Sequence, residues 1–198
     1  MKRLAILAAT ALSAAALSAA GCGGSSAGSA AKPVDPNGPE VSPAGDIPDD
    51  QAFVAYAPVG WGLSVEVPEG WARTTTATTA TFTDKLNSVT VDRPVAATSA
   101  PTVAGATATE IPRLARTVTG FGGARATIVT RTAGRALRIA YLARSVPDAV
   151  TGTTRRNAVE RYELFRSGRR AVLTLAGPEG ADNVDPWKIV TDSFRWTR

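Results

Sequence analysis

Glu160-Arg161-Tyr162-Glu163-Leu164-Phe165-Arg166-Ser167-Gly168-Arg169-Arg170-Ala171-Val172-Leu173-Thr174-Leu175 decides the fold. Ser167-Gly168 has the chemistry of a two-residue hairpin turn, in which both central residues take positive φ. Counting outward pairs Leu164 with Ala171, Tyr162 with Leu173 and Glu160 with Leu175. These partners share one mostly apolar face, and a one-residue slip would turn Arg161 and Glu163 inward instead. A second hairpin lies upstream. With Ala133-Gly134 as its turn, Thr130 meets Leu137, Ile128 meets Ile139 and Ala126 meets Tyr141, again on one face. Pro147 to Thr154 reads as the loop between the two hairpins.

The remaining elements follow from period and punctuation. Phe53 to Tyr56 gives a short strand before Pro58 and Gly60. Trp61, Leu63, Val65 and Val67 then alternate with Gly62, Ser64 and Glu66, the pattern of a half-buried strand. Pro68-Glu69-Gly70 turns the chain. Ala80 to Thr83 and Ser88 to Asp92 make a further pair around Asp84-Lys85-Leu86-Asn87. Residues 93–106 show little pattern. Ile111, Leu114, Ala115 and Val118 form a helical stripe. Pro112 is expected near that helix's start, Thr109 as its cap and Gly120 past its end. Asp185-Pro186 is the expected cap and first residue of a last helix, whose face is Trp187, Val190, Thr191 and Phe194. The expected fold class is α+β: an antiparallel sheet of about seven strands packed with two helices, over residues 51–198.

Charge is uneven along the 198 residues, whose net is +5. Lys32 stands against Asp35, Glu40, Asp46, Asp49 and Asp50, whereas residues 51–198 hold 19 basic and 12 acidic side chains. Seventeen of the 19 are arginine. No dense basic run appears, so the arginines read as charges scattered over solvated strand faces rather than as a face for anionic lipid or polymer.

The start of the chain carries an address. Met1-Lys2-Arg3 is a positive head, and Leu4 to Ala20 is apolar or small. That run is short for a spanning helix and suits a secretory signal. It closes on Leu17-Ser18-Ala19-Ala20-Gly21-Cys22, which holds the only cysteine. Ser18-Ala19-Ala20-Gly21-Cys22-Gly23 resembles a bacterial lipobox. Alanine stands three places before the cysteine, where leucine is commonest. The resemblance implies cleavage before Cys22, diacylglyceryl transfer to its thiol and, often, acylation of the new amino group. Two acyl chains hold where one is marginal, at about 0.8 kcal/mol per buried methylene. The expected lipidation site is Cys22, the expected location the outer leaflet of the cell membrane, and the expected membrane partner its lipid. The rival is an ordinary secreted protein with a leftover cysteine. Residues 1–21 are then signal peptide and 22–50 a tether. Eighteen of residues 23–50 are Gly, Ala, Ser or Pro, which makes them a disordered spacer spanning about 30 Å as a coil.

Several stretches together carry a second resemblance. These are Val67-Pro68-Glu69-Gly70-Trp71, Phe82-Thr83-Asp84, Glu160-Arg161-Tyr162-Glu163, Ala171-Val172-Leu173-Thr174-Leu175, Asn183-Val184-Asp185-Pro186-Trp187 and Ser193-Phe194-Arg195-Trp196. They resemble the LpqN-like lipoproteins of actinobacteria, whose domain is similar to that of PsbP. The resemblance implies a sandwich with an antiparallel sheet and a role in protein contact or assembly. It brings no catalytic residues.

The residues themselves argue against catalysis. There is no histidine, which removes the commonest general base and metal ligand. An acylated Cys22 is no nucleophile. Lys85 and Lys188, the domain's two lysines, complete no Ser-x-x-Lys pattern. Glu66 with Glu69, and Glu160 with Glu163, are the candidate carboxylate pairs, better read as solvated charges. Glu179, Asp182, Asn183 and Asp185 offer oxygen ligands without calcium-loop spacing. Trp61, Trp71, Trp187 and Trp196 suit core more than pocket. Gly120-Phe121-Gly122-Gly123 follows a helix, against a dinucleotide fingerprint. The expectation is a non-enzymatic interaction or assembly module of the cell envelope. It has no cofactor, no metal and no nucleic acid, and its partner is an unidentified envelope protein. The alternative is a carrier or sensor of a small apolar ligand.

Overall fold

The computed structural model describes residues 44–84 and 86–197. The expected signal peptide, Cys22 and most of the expected tether lie outside the described residues. Ten strands and two helical segments form an α+β fold. A seven-stranded antiparallel sheet takes the order β3-β4-β5-β9-β8-β7-β6, with β3 Ala72–Thr75, β4 Thr79–Thr83, β5 Ser88–Ala96, β6 Gly122–Arg131, β7 Gly134–Arg144, β8 Arg156–Arg166 and β9 Arg169–Pro178. A small sheet pairs β1 (Phe53–Tyr56) and β10 (Arg195–Trp196) on either side of β2 (Leu63–Pro68).

The middle of the sheet is buried on both faces. On one, the alternating Trp61, Leu63, Val65 and Val67 meet Phe82, Val89, Val91, Tyr162, Leu164, Leu173 and Leu175, closed by Trp187, Val190 and Phe194. On the other, Leu137, Ile139, Tyr141 and Val159 pack under Ala106 and Leu114. Ile47 belongs to the first core. Its amide donates to Asn183 Oδ1 at 2.8 Å, and Asn183 Nδ2 donates to Gly45 O and Asn87 Oδ1, each at 3.0 Å. Residues 44–50, assigned by composition to the tether, are therefore pinned to the fold, and the stretch from residue 44 onward carries its own cores.

The Ser167-Gly168 hairpin has the register read from its turn. Leu164 faces Ala171, Tyr162 faces Leu173 and Glu160 faces Leu175, with Ser167 at φ +50 and Gly168 at φ +73. The upstream hairpin keeps its faces but not its register. Ile128 pairs with Leu137 and Ala126 with Ile139, so the turn is Thr132-Ala133. A turn at Ala133-Gly134 would ask Ala133 for positive φ. Instead Gly134 alone takes it, at φ +113, as the first residue of β7. A shift of two residues leaves each side chain on its original face.

The helical stripe also starts earlier than its pattern. α1 (Val103–Gly105), a π-helical turn (Ala106–Glu110) and α2 (Ile111–Thr117) run on from one another, capped by Thr102, whose hydroxyl accepts from Gly105 N at 3.0 Å. Pro112 thus lies inside a helix. It lacks the N–H that an α-turn would use, and the π-turn just before it takes up the misfit. α3 (Val184–Ser193) begins two residues before Pro186, with Asn183 in the capping position. Asp185 sits in the first turn, where its charge suits the helix dipole. β3 and β10 were not legible. One is exposed throughout and the other is two residues long. β5 runs on to Ala96 through a bulge between Asp92 and Val95, which accommodates Pro94.

Gly134→Ala is expected to lower stability by about 1–2 kcal/mol, since its φ is closed to side chains. Ser167→Gly is expected to change it by less than about 0.5 kcal/mol, relief of strain offsetting chain entropy. Urea unfolding midpoints check both.

Candidate functional site

The clearest concavity lies on the helix-covered face, at the end of the sheet where β5 leaves it. A groove of about 640 Å³ opens between the Ala96–Thr102 connection and the π-turn, which contributes Ala106, Thr109 and Glu110. Its floor is Leu137, Glu163 and Arg170. Register builds that floor: Leu137 faces Glu163 on β8, and Ile139 faces Arg161. The alternation of β8 points Tyr162 and Leu164 at one core, so Arg161 and Glu163 were expected to face solvent. They lie under the helix instead, and Glu163 is only 2% exposed.

Each buried charge has a partner. Glu163 takes Arg161 Nε on Oε1 and Arg170 Nη1 on Oε2, both at 3.3 Å. Arg161 Nε also reaches Glu110 Oε1 at 3.2 Å, tying the helix to the sheet. Arg113 grips Glu110 from the next helical turn, at 3.0 and 2.6 Å. This two-point hydrogen bond holds the Glu110 carboxyl below its ordinary range, burial opposing and Arg161 assisting. Asp92 behaves differently. Arg161 Nη1 stands 4.0 Å away, at the limit of an ion pair, and burial outweighs it, raising the Asp92 carboxyl. The arrangement is a network of carboxylates and guanidinium groups roofed by a helix, in which Glu110 and Glu163 are each held by two arginines.

A second network occupies the opposite face. The Tyr162 hydroxyl donates to Glu160, which also binds Arg138, while Arg131 donates to the same hydroxyl at 2.9 Å and lies over the ring at 5.2 Å. Burial, then the bond to Glu160, pushes the Tyr162 phenol up to about 12.

The residues singled out from sequence fall apart in space. Glu160 and Glu163 face opposite sides of β8, and each is held by arginine. Glu66 and Glu69 are exposed. In the 179–185 loop, Asn183 serves Gly45, Ile47 and Asn87, and Asp182 N donates to Asp46 Oδ1. Among the described residues no three acidic side chains gather as a metal site. Trp61 and Trp187 are core, Trp71 and Trp196 pack against it, and none lines the groove. Cys22 lies outside the described residues.

No protein-family model matches the sequence, and no curated protein matches it. Some solved structures resemble it at low identity. The Ran-binding protein Mog1p of Saccharomyces cerevisiae is 12% identical, with 74% of this chain and 96% of that one covered and a TM-score of 0.47. The cyanobacterial PsbP of Synechocystis is 15% identical over 74% and 93%, at 0.49. LpqN of Mycobacterium tuberculosis, a protein involved in cell envelope biogenesis, is 14% identical over 81% and 100%, at 0.41. The resemblance to LpqN-like lipoproteins has no match at the level of sequence, and these likenesses all stand at TM-scores below 0.5. The reading of this chain rests on its own residues.

Glu163→Ala would take one of the two close carboxylates from Arg161 and leave Arg170 without its own. It is expected to cost about 3–5 kcal/mol in urea unfolding, the range for a broken buried pair. Above pH 10 the unfolded chain ionises its tyrosines while buried Tyr162 stays neutral. Stability should therefore fall by about 3 kcal/mol between pH 10 and about 12. Tyr162→Phe should remove that part of the alkaline loss, read by unfolding at each pH.

Proposed function

We propose that the protein is a lipoprotein anchored through Cys22 to the outer leaflet of the cell membrane, where its domain serves as a non-enzymatic interaction module of the envelope. The observation that carries the non-enzymatic part is the floor of the groove. Glu110, Arg161, Glu163 and Arg170 are engaged with one another, which suits a rigid recognition surface rather than proton transfer. The groove's size lies within the range of ligand sites, and the hydroxyls of Thr98, Ser99 and Thr109 on its walls suit hydrogen bonding to a segment of a protein partner. An apolar ligand fits less well, because it would lie on Glu163 and Arg170 while the tryptophans are committed to the core. The anchor is supported by the sole cysteine falling where the apolar run ends.

In a bacterial host that processes lipoproteins, labelled palmitate is expected to enter the wild-type chain, and Cys22→Ala to leave it unlabelled and released to the medium. Unchanged membrane retention of that variant would overturn the anchor. Crosslinkers placed at Thr98 and Thr109 on the groove rim should capture one defined envelope protein. Capture that persists when both positions are moved to the exposed strand β3 would overturn the groove as the contact.

A further inference from the structure

Read along the sequence, the arginines look scattered; the register gathers them. Arg166 stands directly opposite Arg169 across the Ser167-Gly168 turn, Arg170 follows, and Ala136 opposite Leu164 brings the neighbouring Arg135 to the same end of the sheet. Arg131 pairs with Gly134 there too. The other end is acidic only in balance. Asp46, Asp84, Asp148, Glu179 and Asp182 lie there against Arg144, Arg155 and Arg156, and Arg156 meets Glu179 at 3.3 Å. The incoming chain docks at this acidic end, where Asp46 Oδ1 accepts from Asp182 N at 2.9 Å. β9 has ten residues, so the two ends stand about 30 Å apart.

We propose that the hairpin-turn end is a docking surface for anionic membrane lipid, an inference that rests on the Cys22 anchor for its proximity to a bilayer. Several arginines are held in place. Arg169 donates to Trp61 O at 2.6 Å, Arg170 meets Glu163, and Arg131 meets Tyr162 with Asp192 at 3.8 Å. Among the described residues, exposed Arg135 and Arg166 pair with no carboxylate, and Arg166 stands opposite the like-charged Arg169. Lipid is the polyanion that the anchor supplies at high local concentration. The chain between Cys22 and Ala44 reaches at most about 75 Å when drawn out, more than twice the length of the sheet. The basic end can therefore turn to the bilayer although the chain leaves the domain from the opposite end.

The test uses the chain from residue 22 onward with Cys22→Ser, which holds the whole folded unit and no acyl group. It is expected to bind phosphatidylglycerol-containing vesicles, not pure phosphatidylcholine, and to be released by 0.5 M salt, a concentration set about threefold above physiological. Each arginine at such a surface is worth about fivefold in partition. Arg135→Glu with Arg166→Glu should thus weaken binding by more than about tenfold. Arg144→Glu with Arg156→Glu, at the acidic end, should change it less than about twofold. Circular dichroism of both variants reports that the fold is kept. Equal losses from the two variants, or no binding to anionic vesicles, would overturn the proposal. An unmodified native Cys22 in mass spectrometry would instead overturn the anchor and leave this vesicle result as it stands.

Discussion

Burial of β8 and β9 on both faces is the constraint from which the rest of the structure follows. A strand in the middle of a two-faced sheet has no solvent side on which to leave a charge. β8 nevertheless carries Glu160, Arg161 and Glu163 in its central stretch. An unpaired ion there would cost several kcal/mol, so each must find its counter-ion inside the fold. Arg138 and Tyr162 complete one set, and Arg161, Arg170 and Glu110 complete the other. The helix is held to the sheet by Leu114 and Ala106, while the Glu110 ion pair fixes which turn lies over which strand. A translation of one helical turn, about 5.4 Å, would leave Arg161 facing a carboxylate from one side only. The π-turn sits where this ion pair and Pro112 both impose their geometry.

Much of this was legible because turn chemistry and face pattern agreed. Ser167-Gly168 admits one register, and the apolar partners on both strands confirm it. At Ala133-Gly134 the glycine was noticed but given the wrong place in the turn. A two-residue slip preserves faces, so the pattern of Ile128, Leu137 and Ile139 could not expose it. The charged floor was missed for a more general reason. Alternation tells inside from outside only where one face is wet. Arg161 and Glu163 alternate with Tyr162 and Leu164 as surface residues would, and nothing local says that a helix covers them. The one available signal was opposite charges two residues apart on the same face, a pair that β8 keeps at 3.3 Å. The gathering of arginines at one end was invisible for a related reason, since it depends on which strands are neighbours.

The two networks also differ in what they could do. On the Tyr162 side the polar groups lie against the small sheet and α3, and their effect is to fix side chains within a packed core. On the Glu163 side the network borders open space, so a partner in the groove would meet groups already held by one another. Such a surface binds without first having to order its side chains, and less affinity is lost to immobilisation. It also discriminates, because a partner that disturbed the Arg170–Glu163 contact would leave a buried carboxylate short of its cation.

These features combine with the charge asymmetry of the sheet. The groove lies near the basic end, since Ala97 N donates to Gly168 O beside it and Arg170 contributes to both. A lipid-facing basic end would bring the groove close to the bilayer surface, where segments of membrane proteins emerge. An outward-facing basic end would present the groove to partners further out. An anchor at Cys22 would permit either pose, because the chain between it and Ala44 is longer than the sheet. At an anionic bilayer electrostatics would select between them, since the arginine-rich end would be drawn to the headgroups more than the end where carboxylates outnumber arginines. The orientation of such an anchored domain, and with it the reach of the groove, would thus be set by charges that lie far apart in sequence and are brought to opposite ends of one sheet by strand order.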